Sequence, residues 1–147
     1  MKKKFIIFPL VLLLIYSCEK RKRPFNKNYK IIADKTFQKL SKIPDNQLTK
    51  IEFPTNINLD TIESDHKLVN FTIKNVGKKN LHSLFIKPPC SCIEMPKYDT
   101  VMLPNTEQNF TINMSFNQLG NFYVPITVYG NFYPLKKIIF VEGYRRK

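Results

Sequence analysis

Between residues 107 and 116 the chain alternates strictly: Phe110, Ile112, Met114 and Phe116 are separated by Thr111, Asn113 and Ser115. A period of two is the signature of a strand with one buried face. Successive side chains of a strand point to opposite sides, so the apolar row must lie on a second layer. Burying those four side chains contributes roughly 6 to 12 kcal/mol before the entropy of ordering the chain is charged. The alternation returns in Val69, Phe71 and Ile73, and in Phe122, Val124, Ile126 and Val128. Turn residues punctuate these runs at Asn75-Val76-Gly77, Pro104-Asn105, Leu119-Gly120-Asn121 and Gly130-Asn131. Short strands at this spacing, with no long helical period between them, predict an antiparallel β-sandwich. Strands are expected at 50–53, 66–75, 81–87, 99–103, 107–116, 121–130 and 135–143. About seven strands in a segment of this length is the size of an immunoglobulin-like domain. The chain has no tryptophan, and Cys90 and Cys92 are too close in sequence to pin two sheets, so Phe, Ile, Leu and Val must supply the core.

The first 18 residues obey a different rule. Lys2, Lys3 and Lys4 precede an apolar run from Phe5 to Tyr16, and Ser17-Cys18 closes it. A basic start, a short apolar stretch and a small residue before the cleavage point make an export signal. The run has 12 residues, whereas a spanning helix needs about 20, so removal explains it better than a permanent anchor. Ile15-Tyr16-Ser17-Cys18 resembles the lipobox of bacterial lipoproteins, of the Leu-Ala-Gly-Cys kind, with Tyr16 bulkier than the usual occupant. The resemblance implies diacylglyceryl transfer to the Cys18 sulfur, acylation of the new amino terminus, and a place on the periplasm-facing surface of an inner or outer envelope membrane. A plain secretory signal, or an uncleaved tail held by Lys20 to Arg23, is the alternative. The covalent lipid is the only cofactor expected.

The formal net charge of +13 invites a nucleic-acid reading, but its distribution argues against one. Residues 19–42 carry 9 Lys and Arg against 2 acids, whereas residues 50–143 carry 9 against 8. A basic face tracking a phosphate backbone is what the folded segment lacks. Residues 1–17 are therefore read as the signal, 18–49 as a lipidated, basic and flexible tether, 50–144 as the sandwich and 145–147 as a basic tail. A flexible tether of that length reaches roughly 30 Å. Its cations would add about 1 kcal/mol each beside anionic lipid. Ile32, Phe37 and Leu40 admit a short helix against the domain as the other reading of this stretch.

Within 50–144 the residues resemble a named family, the domain of unknown function 1573, related to immunoglobulin-like domains of the ASPM, SPD-2 and Hydin type. The features that carry the resemblance are Phe71-Thr72-Ile73-Lys74-Asn75-Val76-Gly77, Leu81, Cys90-Ser91-Cys92, Leu103-Pro104-Asn105, Gly120-Asn121-Phe122 and Gly143. Ser91 replaces the family's central glycine and Asn105 its turn glycine. The resemblance implies an immunoglobulin-like sandwich and assigns no activity, because a fold does not supply one.

Cys90 and Cys92 are the candidates for chemistry. Thiolates at i and i+2 suit a soft ion such as Cu(I). The pair also suits a disulfide if a turn brings the Cα atoms within reach, or two small residues packing the end of a strand. His66 and His82 are the only histidines, and a nucleophile and base pair of Cys90 with His82 would require a third orienting group that the sequence does not announce. Asp60, Glu63 and Asp65 lack the glycine and closing glutamate of a calcium loop and read as a solvated turn. Asn70-Phe71-Thr72, Asn109-Phe110-Thr111 and Asn113-Met114-Ser115 match glycosylation sequons, as outward Asn and Thr on strands do by composition. Asp60-Thr61-Ile62 and Asp99-Thr100-Val101 resemble the acceptor of periplasmic O-glycosylation.

The expectation is a non-enzymatic interaction or structural module displayed by an envelope lipoprotein and meeting an envelope protein. The alternative is thiol-redox or copper handling through Cys90 and Cys92. If Phe122, Val124, Ile126 and Val128 face inward, Tyr123, Thr127 and Tyr129 face outward. With Phe132 and Tyr133 following, Tyr123, Tyr129 and Tyr133 form the candidate interaction surface. Either Ile138 and Phe140 or Ile139 and Val141 share that face.

Overall fold

The computed structural model describes residues 27–147. The segment read as an export signal, Cys18 and the basic residues Lys20 to Arg23 lie outside the described residues. Among the described residues no helix is long and apolar enough to cross a membrane.

A helix, α1 (Lys27–Leu40), precedes eight strands: β1 (Ile51–Glu52), β2 (Asn56–Ile62), β3 (His66–Asn75), β4 (Phe85–Lys87), β5 (Ile93–Glu94), β6 (Glu107–Ser115), β7 (Gly120–Tyr129) and β8 (Lys136–Arg145). They form two four-stranded sheets, in the orders β1-β3-β6-β5 and β2-β8-β7-β4. Face to face they make an all-β immunoglobulin-like sandwich. The long strands lie where alternation placed them. Val69, Phe71 and Ile73 from β3, and Phe110, Ile112 and Met114 from β6 with Phe116 just beyond it, are buried against Ile126 and Val128 of β7 and Ile139 and Val141 of β8. Phe71 and Phe110, paired across β3 and β6, stack with centroids 5.0 Å apart.

Three features depart from the sequence-based expectation. The span 81–87 narrows to β4, with Leu81 held by an isolated bridge to Met102, which is all that remains of the strand expected at 99–103. In their place β2 and β5 appear where none was expected. β2 pairs parallel to β8, so the sandwich is not wholly antiparallel. The third departure is α1, which occupies 14 residues of the stretch read as a flexible tether. It packs on β4 and β7 through one narrow stripe of Tyr29, Ala33, Thr36 and Leu40, four positions one helical face apart. Of the three residues that suggested a helix only Leu40 is buried, while Ile32 and Phe37 are exposed.

Two buried asparagines tie off one end of the sandwich. Asn75 Oδ1 accepts from Thr49 Oγ1 (2.7 Å) and the Gly77 N–H (3.2 Å), and Nδ2 donates to the Lys79 and Met102 carbonyls (2.8 and 3.1 Å). Asn131 Nδ2 donates to the Gln47 and Asn80 carbonyls, and Oδ1 accepts from the His82 N–H at 2.7 Å. Buried amides must be satisfied in this way, and each does so by joining segments far apart in sequence. Gly77 is fixed by the same junction, because a Cβ there would collide with Thr49 Oγ1 and approach the Lys50 nitrogen to 2.5 Å.

Candidate functional site

The outer face of the β2-β8-β7-β4 sheet carries the candidate surface. Ile126, Val128, Ile139 and Val141 are buried and Phe122 and Val124 pack on the core, which turns Asn121, Tyr123, Pro125, Thr127 and Tyr129 outward. Ile138 and Phe140 are therefore the outward pair of β8, which settles the choice that parity left open.

Helix α1 divides this face. At one end Tyr129 lies half-buried, with the Phe85 ring 6.0 Å away and Tyr29 of α1 6.4 Å from Phe85. Burial, with Asp34 of α1 nearby, raises the Tyr129 hydroxyl pKa above the usual tyrosine value. Tyr129 thus belongs to the helix–sheet junction. At the other end Tyr123 is 58% exposed and stacks on Phe140, with centroids 4.7 Å apart and planes 19° from parallel. Tyr133 is 81% exposed in the loop between β7 and β8, whereas its neighbour Phe132 is 1% exposed and packs into the core. Phe132 does not join the surface because the loop folds back: its N–H donates to the Gly130 carbonyl at 2.9 Å.

The open end holds a groove of about 540 Å³ lined by Asn58, Asp60, Asn121, Phe122, Tyr123, Glu142, Gly143 and Tyr144. Register builds it: Tyr123 lies opposite Glu142, which lies opposite Asn58, and Asn121 opposite Tyr144, which lies opposite Thr61. The wall on the β2 side comes from a register shift between Asn58 and Thr61. There Asp60 takes φ 52°, and its N–H donates to Asn58 Oδ1 at 2.8 Å. Gly143 makes the approach possible, since a Cβ there would stand 2.9 Å from the Asp60 carbonyl oxygen. Glu142 is oriented by Asn56, whose Nδ2 donates to Oε1 at 2.8 Å. Parity finds Tyr123 but not Tyr144, Glu142 or the role of Asp60, because Asp60 reads as part of a solvated turn and the strand expected at 135–143 stops short of Tyr144.

The other candidates fall elsewhere. Cys90 and Cys92 sit in a turn with Cα atoms 5.2 Å apart, within the span a disulfide bridges; both are half-buried and pack on the core. Among the described residues no group of three or more His, Cys, Asp or Glu side chains is placed to hold a metal ion. His82 is held through its N–H by Asn131, and the His66 Nδ1 lies 3.1 Å from Ser115 Oγ on the outer face of the other sheet. Glu63 forms an ion pair with Arg146. Asn and Thr of the sequons face solvent and bond one another across β3 and β6, Thr111 Oγ1 to Asn70 and Thr72 Oγ1 to Asn109. That polar ladder explains why the sequons recur. Tyr98, unremarked in the sequence, packs edge-on to Phe110 at 5.5 Å and accepts the Ile86 N–H at 3.0 Å. Burial raises its hydroxyl pKa, and the bond to Ile86 partly opposes the rise.

Comparison with solved structures shows the same fold at low identity. A Porphyromonas gingivalis W83 protein of unknown function superposes with a TM-score of 0.60 at 13% identity, over 71% of this chain and 50% of that one; this chain thus spans half its length. The PapD-like domain 7 of human CEP192 gives 0.56 at 11% identity, over 72% of this chain and 90% of that one. The secreted serine protease VesC of Vibrio cholerae gives 0.54 at 12% identity, over 69% of this chain and 24% of the protease chain. No curated protein matches by sequence. The family model described as protein of unknown function (DUF1573) matches residues 50–144, the whole sandwich, and the chain belongs to that family.

Proposed function

We propose that the protein is a lipid-anchored envelope protein whose sandwich is a non-enzymatic module for binding another protein. The observation that carries the reading is the division of one sheet face. Helix α1 covers the Phe85 and Tyr129 end, while the Tyr123 and Tyr144 end stays open, with both rings about half exposed. Exposed tyrosines offer large contact area with a polar tip at small entropic cost, as binding surfaces require. The anchor rests on Lys2 to Lys4, the apolar run to Tyr16, and Ser17-Cys18. Membership of an immunoglobulin-like family without an assigned activity accords with a binding role.

The test has two arms. Metabolic labelling with palmitate should mark the parent and not Cys18→Ala; equal label in both refutes the anchor. Recovery of partners from envelope fractions by the intact protein should fall with Tyr123→Ser and not with Thr72→Ser on the opposite sheet. Equal recovery by all three proteins refutes the surface.

A further inference from the structure

The groove between β2, β8 and β7 is acidic in a chain of net charge +13: Asp60 and Glu142 are among its lining residues, and no lysine or arginine is. Arg146, just beyond β8, is engaged by Glu63. Aromatic rings stand beside the carboxylates. Tyr123 is braced by its stack on Phe140, and Tyr144 lies one step along the same outward row as Glu142. An aromatic face attracts a cation through its quadrupole, and a carboxylate attracts it through charge. A guanidinium or ammonium satisfies both at once, and an anion or a neutral apolar group satisfies neither.

We propose that this groove binds a lysine or arginine side chain presented by a basic peptide segment of the partner. The inference rests on the interaction surface proposed above and names the chemistry of what docks there. Glu142 offers Oε2 to the cation while Asn56 holds Oε1. Asp60 stands on the β2 side, so a side chain entering between them lies along the tyrosine rings. The volume of about 540 Å³ suits one long side chain with part of its backbone. The excess positive charge lies in residues 1–42 and 145–147, and at physiological ionic strength its repulsion of a polycation is screened beyond about 8 Å, which leaves local recognition in the groove.

The experiment titrates the full chain, purified in a neutral detergent, with fluorescently labelled hexa-arginine, followed by anisotropy. Hexaglutamate and a neutral oligosaccharide of similar size serve as comparison probes. Hexa-arginine should bind, and Glu142→Gln, which keeps an acceptor for Asn56, should weaken it about fivefold, as should Tyr144→Ser. Hexaglutamate, drawn to the basic segment 19–42, should bind the parent and both variants equally. Absence of hexa-arginine binding, equal affinity in parent and both variants, or binding of the oligosaccharide in its place each overturns the proposal. If partner recovery from envelope fractions still depends on Tyr123 in that case, the interaction surface stands and only its cationic specificity fails.

Discussion

Asn75→Ala is the sharpest test of what holds the sandwich closed. The side chain is fully buried and makes four hydrogen bonds, to Thr49, Gly77, Lys79 and Met102. Each contributes about 1 kcal/mol net, so their sum is about 4 kcal/mol. The penalty for orphaned partners is small here, because each keeps another bond. Thr49 Oγ1 can turn its one proton to the Lys79 carbonyl, the Gly77 N–H keeps the Lys50 carbonyl, and the Met102 carbonyl still accepts from the Leu81 N–H. The expected loss is therefore about 4 kcal/mol, equivalent for a domain of this size to a fall in Tm of roughly 16 to 32 °C. Urea unfolding followed by far-ultraviolet circular dichroism measures it. Asn75→Asp should lose at least as much, since it replaces the amide donor that faces two carbonyl oxygens with a further acceptor. A loss under about 1 kcal/mol in the alanine variant, or an aspartate variant as stable as the parent, refutes the account of the junction.

Tyr123→Ser should cost about 1 kcal/mol or less, the worth of one exposed aromatic stack. Tyr129→Ser should lower stability further and speed amide hydrogen exchange along α1; equal exchange in the two variants would show that the helix does not depend on Tyr129. The raised hydroxyl pKa of Tyr98 makes stability constant below about pH 10, the ordinary tyrosine value, and lost above it, because the unfolded chain gives up the proton first. Tyr98→Phe should flatten that alkaline slope and lower stability at neutral pH through the unpaired Ile86 N–H. An unchanged slope assigns the alkaline sensitivity to another group.

Strands with one face on the core declare themselves through parity, and β3, β6 and β7 were legible for that reason. β2 was not, although Ile57 and Leu59 alternate within it, because the register shift at Asn58 to Thr61 breaks the period and Asp60 reads as a turn. The groove was illegible for the same reason: one wall is that irregular strand, and the other needs Tyr144, one residue beyond the expected end of β8. α1 stands in the sequence only as the second reading of its stretch, because its buried stripe includes Thr36 and a single large aliphatic, Leu40, while the more apolar Ile31, Ile32 and Phe37 face solvent. Tyr129 shows the limit of parity, which gives the side of a sheet and not what covers it.

The register shift in β2 bears on how such domains behave when crowded. A sheet edge is a template for any other strand, and at high local concentration weak edge pairing spreads from one molecule to the next. Here β1 and β5 end their sheet as two-residue edges, α1 packs against β4, and β2 is kinked at Asp60 with the carboxylate in solvent. An incoming strand would lose register within a few residues of any start along β2. The deformation that shapes the groove thus also resists edge-to-edge assembly, and straightening it would trade a binding cleft for a seed of aggregation.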